Sequence, residues 1–273
     1  MYTTQLPYII SKLTDRIASL YLPPLLRQFI LYLFAKSVKI KLKEAEKPLS
    51  HYTTINQLFT RSLTASCRPI NTDPNTLTSP VDGKILEYGK IEKGTLLQAK
   101  GLSYTIDQLI PTQLSSSFNM GQFICIYLSP SDCHRIFSPY SGNCVQTCHV
   151  PGSLYPVRDP HISTTSHLYT KNERLISILE TRIGKIAIVM VGAINVGKIT
   201  VTYNDQFQTN LNSNRTTKTT NHLTPKKLEK GDHLGTFHLG STVILCLENQ
   251  HLKLASFTTS QHIQYGQKIG TLK

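Results

Sequence analysis

The residues in this chain best suited to chemistry are Gly240-Ser241, inside the run Gly231–Glu248. A turn signal at Gly231-Asp232 leads through Phe237 to Leu239-Gly240-Ser241-Thr242. The apolar run Val243–Leu247 follows, which is the pattern of a sharp entry into a buried strand. Glycine opens backbone conformations closed to other residues, so a serine hydroxyl beside it can be held against its own preceding carbonyl. A hydroxyl held that way is set up to cut the bond before it. The other reading of the same four residues is a glycine bulge with the hydroxyl facing outward.

Two further constellations invite chemistry and are set aside. Cys144, Cys148 and His149 lie close together but lack a fourth zinc ligand at suitable spacing, so no metal is expected. Gly192 to Lys198 has the glycine and lysine spacing of a phosphate loop, but Ile199 stands where that loop needs Ser or Thr for magnesium. The surrounding residues 186–203 also read as strand on both sides.

The serine motif does not stand alone. Ser79-Pro80-Val81-Asp82-Gly83 lies in the first third of the chain, and Tyr127-Leu128-Ser129-Pro130-Ser131-Asp132-Cys133-His134-Arg135 in the middle. Val150-Pro151-Gly152-Ser153-Leu154, Asn172-Glu173-Arg174, Val191-Gly192-Ala193 with Val196-Gly197, and the pair Phe59-x-Arg61 and Arg68-Pro69-Ile70 complete the set. In order and spacing, from about residue 40 to the end, these resemble the phosphatidylserine decarboxylase family.

The resemblance implies a proenzyme that attacks the Gly240 carbonyl with the Ser241 hydroxyl and exchanges the amide for an ester. Elimination then frees Gly240 as a new C-terminus. The dehydroalanine left behind tautomerises to an imine, and water replaces its nitrogen with release of ammonia, giving a pyruvoyl cofactor at position 241. Two chains result, residues 1–240 and 241–273. The implied reaction is decarboxylation of phosphatidylserine to phosphatidylethanolamine, with the pyruvoyl carbonyl in place of pyridoxal phosphate. The same resemblance matches Asp82 to the family's catalytic aspartate and His134 to a histidine that handles substrate and decarboxylation. It places the loop Lys100-Gly101-x-x-Tyr104 near the substrate, and it implies association of the two cleaved chains and a homo-oligomer.

In one place the chain departs from the pattern. The family reads His-Arg-x-His and uses the second histidine as the base for serine; here the run is His134-Arg135-Ile136-Phe137, and phenylalanine takes no proton. Three readings stay open: His134 serves both stages, which is the one preferred here; another histidine folds close to Ser241; or the chain is an unprocessed, non-catalytic lipid-binding relative. His238, three residues before Ser241, points to the opposite face in a regular strand and is a weak substitute.

The elements that must position these groups read as α+β, with a mostly antiparallel β core of sandwich or barrel type behind N-terminal amphipathic helices. Segments 96–99, 123–128, 176–179, 186–191 and 199–203 alternate with Gly, Pro, Ser and Asn, the punctuation of short strands. A short helix is expected near residues 54–63 and a flexible surface loop over 204–230. Residues 1–45 form a separate N-terminal part and 46–273 the catalytic domain. Leu6, Ile9, Ile10, Leu13, Ile17 and Leu20 fall at helical spacing, Pro23-Pro24 breaks the chain, and Leu25, Leu26, Phe29, Ile30, Leu33 and Phe34 mark a second helix. Neither segment reaches the roughly 20 apolar residues needed to cross a bilayer. The helices are expected to lie on a membrane, at the cytoplasmic face, or to pack on the protein's own core.

Composition agrees with an anionic partner. Lys plus Arg number 29 against 16 Asp plus Glu, a net charge of +13. Without a nucleic-acid-binding signature, an acidic lipid surface is favoured over nucleic acid. The six cysteines show no disulfide framework and read as reduced thiols.

Overall fold

The most apolar runs of the chain become the middle of its largest sheet. The structure is a computed structural model that describes residues 5–99, 102–157, 160–194, 198–209, 216–238 and 241–272, with backbone alone at 5–8, 99 and 241. Strands begin with β1 (Thr76–Thr78), β2 (Gly83–Lys90), the hairpin β3 (Thr95–Ala99) and β4 (Leu102–Thr105), β5 (Gln122–Leu128) and β6 (Arg135–Phe137). They continue with β7 (Gly142–Val150), β8 (Arg174–Thr181), β9 (Gly184–Val191), β10 (Lys198–Val201), β11 (Lys218–Leu228), β12 (His233–His238) and β13 (Ser241–Leu247). The last are β14 (Lys253–Leu254), β15 (His262–Ile263) and β16 (Lys268–Thr271).

Eight strands form one antiparallel sheet in the order β11-β7-β8-β9-β13-β5-β2-β15. Its central members β5, β9 and β13 are almost wholly apolar and buried, as expected of strands covered on both faces. The sheet ends in β11 and β15 and does not close into a barrel. Two three-stranded sheets, β10-β12-β6 and β1-β16-β14, lie beside it. The expected antiparallel β core with N-terminal helices is therefore the architecture found.

One expectation failed in the stretch 204–230, read as a surface loop: residues 218–228 are strand β11, paired with β7. Threonine favours extended backbone, while the lysines and Pro225 suit an exposed edge strand that must not recruit another chain.

Helix α1 (Gln5–Ala18) and helix α2 (Pro24–Ser37) form as predicted, separated by Pro23-Pro24. Pro24 sits in the first turn of α2, where its missing N–H costs nothing. Helix α3 (Ile55–Phe59) is capped by Thr54, whose hydroxyl accepts from the Gln57 amide. Leu31 and Ala35 of α2 join Leu58 of α3, Ile40 and Tyr52 in a small core of their own. The outer faces are different: Ile9, Leu13, Ile17, Leu26, Phe29 and Leu33 are exposed, and Leu25 is 96% exposed.

Candidate active site

Asp82 sits in the turn that feeds β2. Gly83 follows because a side chain there would run into the Tyr127 carbonyl oxygen of the neighbouring β5. The Asp82 carboxylate is buried and held by Arg68, whose Nε reaches Oδ1 at 3.0 Å and whose Nη2 reaches Oδ2 at 2.7 Å. The Tyr265 amide donates to Oδ1 at 2.9 Å. Nη2 of Arg68 also meets Glu44 at 2.8 Å. Burial works against the Arg68 charge, but hydrogen bonds and attraction from Asp82 and Glu44 outweigh it, so its pKa is raised.

The motif Tyr127–Arg135 ends β5 and folds into a tight loop. Asp132 organises it: Oδ2 accepts from the Ser129 amide at 2.7 Å and hydroxyl at 2.6 Å, and Oδ1 accepts from His262 Nε2 at 2.9 Å. His134 is fully buried next to this loop, its ring 3.9 Å from that of Phe59. Its Nδ1 lies 3.0 Å from the Asp132 carbonyl, which can only accept, so Nδ1 carries the proton and Nε2 the lone pair. Nε2 is buried with no partner among the described residues. Burial pushes the His134 pKa down to about 3, leaving a neutral imidazole with one vacant acceptor.

Phe137 occupies the place beside the acid. Its amide donates to the Pro80 carbonyl at 2.8 Å, and its ring stacks on Tyr265, the residue whose amide holds Asp82. Among the described residues no histidine hydrogen-bonds to Asp82, and His134 is bonded to its own loop instead. Two more histidines lie nearby on β12. His233 pairs across the strands with Phe137, rings 5.8 Å apart, and donates from Nε2 to the Gly235 carbonyl at 2.9 Å. His238 accepts from Asn56 Nδ2 and donates to the Thr200 hydroxyl, both at 3.3 Å. Burial lowers the pKa of each to about 4.

Ser241 opens β13 and pairs with Leu128, the last residue of β5 before the His134 loop. Gly240 lies outside the described residues, as do Lys100 and Gly101 and residues 195–197 of the glycine-rich run. Thr242 pairs with Tyr127, which pairs in turn with Lys84 of β2. The acid and the serine thus begin at the same end of the sheet, two strands or about 10 Å apart, and the His134 loop leaves from the strand between them.

Other residues singled out in the sequence make contacts within the fold. Arg174 is buried and donates to the carbonyls of Gln108, Leu109, Thr170 and Asn172. Asn172 ties Tyr155 to Gly192. Tyr104 is buried edge-on to Tyr169. His149 pairs with Glu173 at 2.8 Å, and the Cys148 thiol accepts from Thr219.

The importance of Arg68, Tyr265, His262 and Arg61 escaped sequence reasoning. Arg61 and Arg68 were visible only as motif letters; the available signal was an arginine placed among apolar neighbours, which must find a partner when buried. Arg61 is 2% exposed, and its Nη2 donates to the Ser131 carbonyl at 2.9 Å.

A sequence model of the phosphatidylserine decarboxylase family matches residues 55–271. The phosphatidylserine decarboxylase proenzyme of Brevibacillus brevis is 39% identical over 244 residues, covering 88% of this chain and 86% of the relative. The proenzyme of Myxococcus xanthus is 35% identical over 252 residues, covering 92% and 89%. That of Acinetobacter baumannii is 34% identical over 250 residues, covering 90% and 86%. The chain belongs to the phosphatidylserine decarboxylase family, whose members are carboxy-lyases made as proenzymes.

Proposed function

We propose that this chain cuts itself between Gly240 and Ser241, carries a pyruvoyl group on the new chain 241–273, and decarboxylates phosphatidylserine to phosphatidylethanolamine at a membrane surface. Family membership over most of the chain supports the reaction. The observation that carries the site is the meeting of Asp82, the His134 loop and Ser241 at one end of one sheet.

His134 is the base in this reading and also handles substrate. Its Nε2 is unprotonated and buried, able to accept the Ser241 proton transiently, and its low pKa makes it give a proton up readily to product. Asp82 is a positioning residue: its carboxylate fixes Arg68 and the Tyr265 amide, and Tyr265 holds Phe137 on the strand next to His134. His134 Nε2 is buried without a partner among the described residues and is free to serve a polar group formed at 241. When present, that group supplies the acceptor for the electrons released with carbon dioxide.

Membrane attachment rests on the exposed apolar faces of α1 and α2. No helix among the described residues is long and apolar enough to cross a membrane. An exposed face of this size next to lysines fits a helix pair lying in the lipid interface. Phe59 of α3 touches Phe34 of α2 on one side and His134 on the other, so the lipid-facing part and the site share a wall.

The test is carbon dioxide release from carboxyl-labelled phosphatidylserine in vesicles by purified protein. Release that is lost in Ser241→Ala is expected. No release from a chain that has cut itself would point to a different amine substrate.

A further inference from the structure

Among the described residues, Arg61 is a buried cation without a counter-ion. Its Nε and Nη1 have no partner among the described residues, and no carboxylate there lies within ion-pair reach. The two carboxylates whose charges reach it, Glu44 and Asp82, are both held by Arg68. A guanidinium in this state is costly to bury and suits an anion that arrives with its own oxygens.

The surroundings point the same way. Segment 56–61 lies along the loop 131–134: Arg61 Nη2 donates to Ser131, the Cys133 thiol approaches the Arg61 carbonyl, and Phe59 covers His134. On these two facing segments, Asn56 Oδ1 and His134 Nε2 are also buried without partners. Asn56 Nδ2 reaches Ser19, just past the end of α1, so the segment borders the lipid-facing helices. Unpartnered polar atoms on segments that border both the lipid-facing helices and a candidate base suit recognition of a headgroup.

We propose that Arg61 binds the phosphodiester of the lipid headgroup, an inference that rests on the function proposed above. The headgroup of phosphatidylserine offers an amine, a carboxylate and a phosphodiester. The guanidinium repels the amine. Pairing with the carboxylate stabilises a charge that disappears as carbon dioxide leaves, and so favours the ground state over the transition state. The phosphodiester keeps its charge from substrate to product, and its oxygens can accept from the Arg61 N–H groups left without partners.

The test measures binding of two soluble probes to the full, self-processed protein by calorimetry: glycerophosphoethanolamine, which has the phosphodiester but no carboxylate, and free serine, which has the reverse. Arg61→Gln is expected to weaken glycerophosphoethanolamine tenfold or more and to leave serine unchanged. Loss confined to serine assigns Arg61 to the carboxylate and overturns the proposal; equal loss of both, or of neither, overturns it as well. Should Arg61→Gln fail to fold, Arg61→Lys decides, because it keeps the charge without the several N–H donors of the guanidinium. A severalfold loss for glycerophosphoethanolamine alone is then expected, and any other pattern contradicts it. Arg61-dependent phosphodiester binding by a protein that releases no carbon dioxide removes the decarboxylase reading and leaves this one standing; active protein with Arg61-independent binding does the opposite.

Discussion

Phe137 lies flat on Tyr265, ring centroids 4.0 Å apart and planes inclined by 20°. The Tyr265 amide is bonded to Asp82. Position 137, where the family resemblance implies a second histidine, is therefore one residue removed from the acid, and here it is filled by a hydrocarbon ring. The charge partner of Asp82 is Arg68, 2.7 Å away.

Restoring an imidazole at that position should help the serine lose its proton. Phe137→His is expected to raise the self-cleavage rate by roughly ten- to a hundredfold, within the usual reach of a general base. A gel time course of freshly synthesised chain reads it, and an unchanged rate shows that position 137 has no access to Ser241.

His134→Ala should slow cutting by about two to four orders of magnitude, because the proposed base is removed. The same time course measures it. Cutting at the normal rate would transfer the role to another group, with His233 and His238 the first to examine.

Breaking the buried Asp82–Arg68 pair leaves a guanidinium without its main partner. Asp82→Asn is expected to destabilise the fold by about 3–5 kcal/mol, measured by urea unfolding of the Ser241→Ala background so that cleavage does not confuse the transition. A loss below about 1 kcal/mol would mean that the pair is solvated, as surface pairs are.

His134 is neutral in the folded chain down to about pH 3, whereas in the unfolded chain it titrates near its ordinary 6.5. Between those values the unfolded state holds the extra proton. The stabilisation is complete above pH 6.5 and is lost as pH falls toward 3, at about 1.4 kcal/mol per pH unit for this residue. Unfolding measured at pH 7 and pH 5 should show a stability drop that shrinks in His134→Gln. An equal drop in both proteins contradicts the burial of a neutral imidazole.

Leu25 and Phe29 are 96% and 61% exposed on the outer face of α2. Placing both in lipid contributes about 2–4 kcal/mol, so Leu25→Ser with Phe29→Ser should weaken binding to anionic vesicles by about 30- to 1,000-fold. Co-sedimentation reads the loss, and undiminished binding shows that the membrane contact lies elsewhere.

Much of this layout was written in local patterns. The apolar runs 123–128 and 186–191, bracketed by turn residues, read as buried strands, and the two amphipathic segments around Pro23-Pro24 read as helices, and both form. Strand β11 was illegible because an exposed edge strand needs no apolar face, and its Thr, Asn and Lys look like loop. The missing histidine at 137 was plain in the sequence. The partners of Asp82 were not, because Arg68, Asp82 and Tyr265 are brought together only by the pairing of turns far apart in the chain. Arg61 was one letter in a motif until burial exposed its lack of an anion.

The account depends most on what stands at the head of the short chain after cutting. Intact-mass measurement of the purified protein should find two fragments in place of the 30.6 kDa chain. The fragment 241–273 should be lighter by one ammonia than a serine-headed peptide and should react with a carbonyl reagent. A short fragment with a free serine amine, or a single uncut chain after prolonged incubation, would contradict it.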